Sequence, residues 1–445
     1  MKNVEKVLKI LDYAKDLFFY LYSDQNLSYN DALQKVAEDR KNDPDFEATL
    51  FQNDNDTIIN VLSSHFANRQ FVLLQEVLNR YQNNEGSILI SLSQDKQFKA
   101  LRNEIFGEDS KIKGEAVATI IGGLRNAFAH GNFEDQSFDD KITLNYYSKT
   151  LKSSLQTSIT PMQISQLLNI IISHTIRHDC RPEYIWNTEK SRDFLKTKTL
   201  DTYVRKLAIR RLQINGKTYK KIYLDNVQRQ CLKTLFKNNN TSGISDHFVT
   251  EKLLFNNVEK ANQLSNLINL LNCIKHADYG KSAPFQDILY TITTFFSEEL
   301  NMPIEELKYD LSDRMTMLNI MICELVYILG LLEKDVGLTT TAHFKYLPQH
   351  IKGMSGVERL RDSLVHGRYI FDGGDRVYVY DGRDNYHLEY MFSLNIHELI
   401  ATKDELTQHY IAAIQEKQNN DEVLKKKSKG NNFKGEKLCF IMVQM

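Results

Sequence analysis

An octapeptide that occurs twice constrains this chain more than any other feature. Leu124-Arg125-Asn126-Ala127-Phe128-Ala129-His130-Gly131 and Leu360-Arg361-Asp362-Ser363-Leu364-Val365-His366-Gly367 share the pattern L-R-[N/D]-x-x-x-H-G. The segments after the two copies match as well. Ile142-Thr143-Leu144-Asn145-Tyr146-Tyr147 and Val377-Tyr378-Val379-Tyr380 are strand-like, the second behind the turn Asp372-Gly373-Gly374-Asp375. Thr160-x-x-Gln163 and Asn395-x-x-Glu398 then read as helix starts in which side chain and backbone cap one another. The chain should therefore build one local architecture twice: a site helix, a small hairpin and a freshly capped helix.

Composition sets the fold class. Only 19 glycines and 6 prolines occur in 445 residues, about half of the usual combined share of roughly 12%, which disfavours linkers and turn-rich all-β folds. Apolar positions recur at helical spacing through Val4, Val7, Leu8, Leu11 and Ala14, and again from Ile59 to Leu78. The expectation is a mainly α protein of two helical bundles, each with a small β-hairpin after the motif helix, joined by a basic segment. Residues 1–181 form the first domain in this reading and 182–244 a basic connector. A second domain spans 245–420, and 421–445 is a basic mobile tail.

The net charge of -1 conceals a strong local bias. Between Lys190 and Lys237 lie fourteen Lys or Arg against three Asp, with Tyr203, Tyr219 and Tyr223 interleaved and an Asn215-Gly216 turn marking a candidate hairpin. Basic surface with aromatic faces suits a phosphate backbone, because released counterions drive binding and rings stack on bases. Lys206, Arg210, Arg211, Lys217, Lys220 and Lys221 are the RNA-binding candidates. A solvated interdomain connector explains the same composition.

Cys180, Cys231, Cys273, Cys323 and Cys439 are far apart, with no C-x-x-C pair, so neither a disulfide framework nor a zinc knuckle is expected. His174 and His178 sit four apart without a third ligand in view, so no metal and no cofactor is expected. The N-terminus reads as an amphipathic helix rather than an export signal, and a cytoplasmic location is the default. The apolar stretch Met315–Leu332 contains Asn319 and Glu324 and follows the polar start Ser312-Asp313-Arg314, which favours a buried bundle helix over a membrane span. P-loop, G-x-S-x-G, H-E-x-x-H and G-x-G-x-x-G sequences are absent.

On a helix, Asn126 and His130 share a face, as do Asp362 and His366, so each polar residue is expected to orient an imidazole. Each arginine lies about 140° away from its histidine and should meet a group from another helix, as happens when two such helices face each other. Gly131 and Gly367 suit the residue just past a helix end, which puts each histidine in the last turn. There the helix dipole, and Asp362 for His366, favour a charged ring. A titrating histidine beside a permanently charged arginine is what phosphodiester cleavage needs: proton transfer to and from oxygen, and fixed charge on the transition state.

The motif R-[N/D/H]-x-x-x-H closing a bundle helix ahead of a hairpin resembles the HEPN superfamily of ribonucleases. Two copies in one chain resemble the abortive-infection HEPN proteins and, distantly, the type VI CRISPR effectors. The resemblance implies one composite, metal-independent RNase site that cuts by internal attack of the 2′-hydroxyl, leaving a 2′,3′-cyclic phosphate and a 5′-hydroxyl. By motif match it assigns Arg125, Asn126 and His130 from one half and Arg361, Asp362 and His366 from the other as catalytic. Type VI effectors are far longer and carry a guide-binding lobe, so guided targeting is not expected. RNA is the expected substrate, in antiviral or abortive-infection defence, with a regulatory RNA, an antitoxin or a second copy of the chain as further candidate partners and no membrane. The alternatives are a non-catalytic RNA- or nucleotide-binding regulator and the toxin of a toxin-antitoxin pair.

Overall fold

The computed structural model describes residues 2–43, 46–52, 56–81, 92–107, 117–130, 133–136, 141–148, 153–160, 280–300, 312–338, 342–351, 353–371, 376–381 and 390–441, with parts of 163–170 and 260–277. Helices dominate these residues, with three small antiparallel sheets among them. The basic segment from Lys190 to Lys237, and with it Lys206, Arg210, Arg211, Lys217, Lys220 and Lys221, lies outside the described residues. So do His174 and His178 and the boundary expected at 181.

Two helices head the first half, α1 (Lys2–Ser23) and α2 (Tyr29–Arg40). The longer α3 (Thr57–Tyr81) follows, then α4 (Lys96–Phe106) and the motif helix α5 (Val117–Ala129). A three-stranded meander of β1 (Phe133–Gln136), β2 (Lys141–Ser148) and β3 (Ser153–Ile159) completes it. The second half likewise runs from helices through a motif helix into a three-stranded meander. A helix over 266–276 and α6 (Phe285–Leu300) precede the apolar α7 (Asp313–Leu331), which ends in a π turn, Leu332–Val336. After the two-residue strands β4 (His350–Ile351) and β5 (Met354–Ser355) come the motif helix α8 (Gly356–Val365) and a meander of β6 (Tyr369–Phe371), β7 (Arg376–Asp381) and β8 (Tyr390–Asn395). The last helix, α9 (Ile396–Ile441), continues through most of the stretch expected to be a mobile tail. Its lysine-rich sequence contains no proline to stop the helix.

The site helices thus lead into three strands each, not two. The third strands escape sequence reading because Ser153–Ile159 is rich in serine and Tyr390–Asn395 has no apolar/polar alternation of burial to betray it. Both capped starts form. Thr160 N donates to Gln163 Oε1 at 2.9 Å and Gln163 N to Thr160 Oγ1 at 3.1 Å. Asn395 N donates to Glu398 Oε2 at 2.7 Å and Glu398 N to Asn395 Oδ1 at 2.8 Å. Each such cap is worth about 1 kcal/mol and fixes where its helix begins.

One apolar cluster runs through both halves, from Leu11 and Phe66 to Ile268, Ile328, Leu364 and Leu406. At its centre α3 and α7 pack on each other and on α1, while α5 leans on α3 and α8 on α7. The α7 helix is long and apolar enough to cross a membrane, yet 83% of that window is buried inside the protein. Backbone bonds tie the halves together at the loops before α2 and α6: Asn30 N donates to Lys281 O at 3.0 Å and Phe285 N to Leu27 O at 2.9 Å.

Each motif helix is braced by its own sheet. On α5, Gly123 faces the fully buried Tyr146 of β2 so closely that a β-carbon would overlap the ring. Gly123→Val should therefore force the sheet off the helix and cost about 1–3 kcal/mol, read as a lower urea midpoint with an unchanged slope. On α8, Ser363 Oγ donates to Tyr380 O at 2.9 Å and Tyr390 OH to Arg359 O at 2.7 Å.

Candidate active site

Leucine anchors both motifs. Leu124 and Leu360 are buried in the core, which fixes the rotation of α5 and α8 and turns the arginine after each toward the other half. Arg125 Nη2 reaches His366 Nδ1 at 2.8 Å. Reciprocally, Arg361 Nη2 touches His130 Nδ1. The arginine of each copy thus meets the histidine of the other, across a sequence separation of more than two hundred residues.

The polar residue after each arginine does something other than expected. Asn126 Oδ1 accepts from Arg125 Nη1 at 2.9 Å, and Asp362 Oδ1 accepts from Arg361 Nη1 at 2.7 Å. Asn126 and Asp362 therefore orient the arginines and not the imidazoles. Each histidine stands at the helix end, its N–H bonded to the carbonyl of residue 126 or 362, while the guanidinium next to Asn126 or Asp362 takes that residue's side-chain oxygen.

The α8 end is built in detail. His366 is the C-cap and Gly367 comes next at φ 69°, a left-handed conformation that glycine adopts without strain. Gly367 N donates to Leu364 O at 3.2 Å and Arg368 N to Ser363 O at 2.7 Å, the paired bonds of a Schellman ending. Arg69 of α3 donates both Nη groups to the Leu364 and Val365 carbonyls, and Lys260 Nζ donates to Gly367 O at 2.6 Å. Lys260 also lies 3.9 Å over the Tyr369 ring. With Arg125, three cations from elsewhere thus surround the turn that carries His366. Gly131 lies outside the described residues.

A residue that sequence reasoning missed completes the cluster. Glu333, in the π turn after α7, accepts from His130 Nδ1 at 2.9 Å through Oε1 and from Arg361 Nη2 at 2.5 Å through Oε2. The wider turn carries Glu333 out of the register that α7 would give it, and π turns recur where a side chain must be re-aimed. Tyr410 of α9 holds this turn, its hydroxyl donating to Asp335 Oδ2 at 2.8 Å, and Lys417 Nζ adds a bond to the Asp335 carbonyl.

Burial works to raise the Glu333 carboxyl, but the hydrogen bond from His130 and the charges of Arg361 and His130 outweigh it and leave the group below the usual carboxylate range. A lowered value means that this carboxylate stabilises the fold above the ordinary glutamate range and stops doing so as acid carries the pH down through the lowered value. The Arg361 side chain is 5% exposed and forms the floor, while His130 at 34% and Glu333 at 29% open to solvent.

Both imidazoles present Nδ1 to the opposite half. Arginine has donors only, so His366 Nδ1 accepts from Arg125 and carries a lone pair. By the same rule Arg361 Nη2 points a donor at His130 Nδ1, which also lies 2.9 Å from the acceptor Glu333 Oε1, so this nitrogen stands between a donor and an acceptor. Two imidazoles, two guanidiniums and one carboxylate can together move protons to and from oxygen and hold an anion. Among the described residues no group of three or more His, Cys, Asp or Glu gathers as a metal site. Comparison with known protein families, with curated proteins and with solved structures finds no match to this chain.

Proposed function

We propose that this chain is an endoribonuclease with one composite site made by both motifs, working through Arg125, His130, Arg361 and His366 without a metal ion. The crossed contacts, Arg125 to His366 and Arg361 to His130, carry the reading. Two arginine–histidine contacts, each within hydrogen-bond reach, match the needs of RNA transesterification. The arginines hold the non-bridging oxygens of the scissile phosphate, and the histidines move the protons of the attacking 2′-hydroxyl and the leaving 5′-oxygen. Asn126 and Asp362 set the arginine forks. The products are a 2′,3′-cyclic phosphate and a 5′-hydroxyl. The setting implied by the HEPN resemblance is antiviral or abortive-infection defence.

The test is cleavage of a fluorophore-quencher RNA in EDTA. The wild-type chain should release the fluorophore, and His130→Ala and His366→Ala should each abolish release, since each removes one of the two proton carriers. Cleavage surviving in both variants would discard the assignment, and RNA binding without cleavage by the wild type would favour a binding regulator.

A further inference from the structure

The seat that the ribonuclease reading gives to the scissile phosphate already holds an anion of this chain. Resting on that reading, we propose that the Glu333 carboxylate stands in for an RNA phosphate on Arg361 and His130, so that the resting site is plugged and RNA must displace this side chain before it is cut.

Donor arithmetic carries the proposal. Arg361 Nη2 has two hydrogens, one directed at His130 Nδ1 and the other at Glu333 Oε2, 2.5 Å away. Its Nη1 donates to Asp362 Oδ1 at 2.7 Å. A phosphate oxygen that takes an Nη2 hydrogen must therefore take it from the imidazole or from the carboxylate. The Arg361 side chain is 5% exposed and cannot swing out to meet RNA elsewhere, whereas Glu333 opens to solvent and has room to leave.

Shape and charge fit a phosphate substitute. The carboxylate spreads its oxygens over both partners, Oε2 on Arg361 and Oε1 2.9 Å from His130 Nδ1. A phosphodiester offers two non-bridging oxygens in a similar fork, and a guanidinium binds carboxylate and phosphate alike. Burial works against the charge on Glu333, but the hydrogen bond with His130 and the charge of Arg361 outweigh it, so the group stays ionised near neutrality.

The plug is aimed through its backbone. Glu333 lies in the π turn Leu332–Val336, closed where Gly337 N donates to Leu332 O at 2.7 Å. Two groups of α9 grip this turn at Asp335: the Tyr410 hydroxyl donates to Oδ2 at 2.8 Å, and Lys417 Nζ donates to the carbonyl. Drawing α9 away would loosen the turn, so α9 sets how firmly the plug is seated.

Two measurements on the full chain test this. One is affinity for 2′-O-methyl RNA, which keeps the phosphates but has no hydroxyl to attack. The other is cleavage of ordinary RNA below and above KM. Glu333→Gln keeps the size of the side chain and removes its charge. It should bind 2′-O-methyl RNA about tenfold or more tightly than wild type, because two charge-assisted bonds no longer have to be broken. It should also cut dilute RNA faster by a similar factor, with kcat no lower than wild type. Glu333→Asp separates a plug from general repulsion, since it keeps the charge but is a methylene too short to span both partners, and its affinity should lie between the other two. Tyr410→Phe should shift affinity the same way by less. Unchanged or weaker binding by Glu333→Gln would overturn the proposal, as would a Glu333→Asp chain that binds like wild type. A fall in kcat with binding unaltered would also overturn it, because that marks a carboxylate that serves the chemistry. An unshifted Tyr410→Phe beside tighter Glu333 variants would overturn the part given to α9. Tighter binding by the Glu333 variants, with no cleavage by any form of the chain, would support the displaced carboxylate and overturn the ribonuclease reading instead.

Discussion

Replacing Arg125 and Arg361 together with alanine should lower RNA cleavage by about 10⁴-fold or more, since removal of one preorganised donor to a developing anion costs about 10²–10³-fold. The lysine pair should recover less than about tenfold of this, although it restores both charges. Each guanidinium uses one Nη on its neighbouring Asn126 or Asp362 and the other on the opposite histidine. A single ammonium cannot span both directions. Single-turnover rates at saturating RNA read the effect on chemistry, and far-UV dichroism confirms that the variants are folded. A lysine pair as active as wild type would show that charge alone suffices and that the fork geometry is idle.

The largest effect on stability should come from a residue remote from the site. Glu324 of α7 is almost fully buried and pairs with Lys15 of α1 at 3.0 Å and Lys403 of α9 at 3.4 Å. Burial alone would lower the Lys15 amine, yet Glu324 and Asp12 together hold it above the ordinary lysine range. Glu324→Ala leaves two cations facing a cavity and should cost about 3–5 kcal/mol, seen as a large drop in the urea midpoint. Adding Lys15→Met and Lys403→Met to Glu324→Leu should return most of that loss, because buried ion pairs are often replaceable by packed apolar groups. A Glu324→Ala chain of unchanged stability would mean that water reaches this cluster. Because the cluster joins a helix of the first half to two of the second, its loss should also weaken the crossed contacts at the motifs.

Much of this architecture is legible in the sequence for identifiable reasons. The octapeptides stand out because arginine, histidine and a small helix-ending residue recur at one spacing, and the capped starts at Thr160 and Asn395 follow from local chemistry alone. Buried Leu124 and Leu360 follow from helical periodicity. Glu333 is not legible: it lies at the end of an apolar run, looks like an ordinary solvated glutamate, and is aimed at His130 only by a π turn that no spacing rule announces. Sequence reasoning misjudges Asn126 and Asp362 because i,i+4 geometry ignores a long neighbouring side chain that can fold back. The packing of α1 against α7 is also hidden, since periodicity tells which face of a helix is apolar but not which distant helix covers it.

The exchange of partners between the motifs has a consequence for how such a centre fails. Neither half contains both members of either contact: fraying of α5 takes Arg125 from His366, and fraying of α8 takes Arg361 from His130. On the ribonuclease reading proposed above, partial damage to one side therefore silences the whole, so that cleavage reads out only when both folded parts are sound.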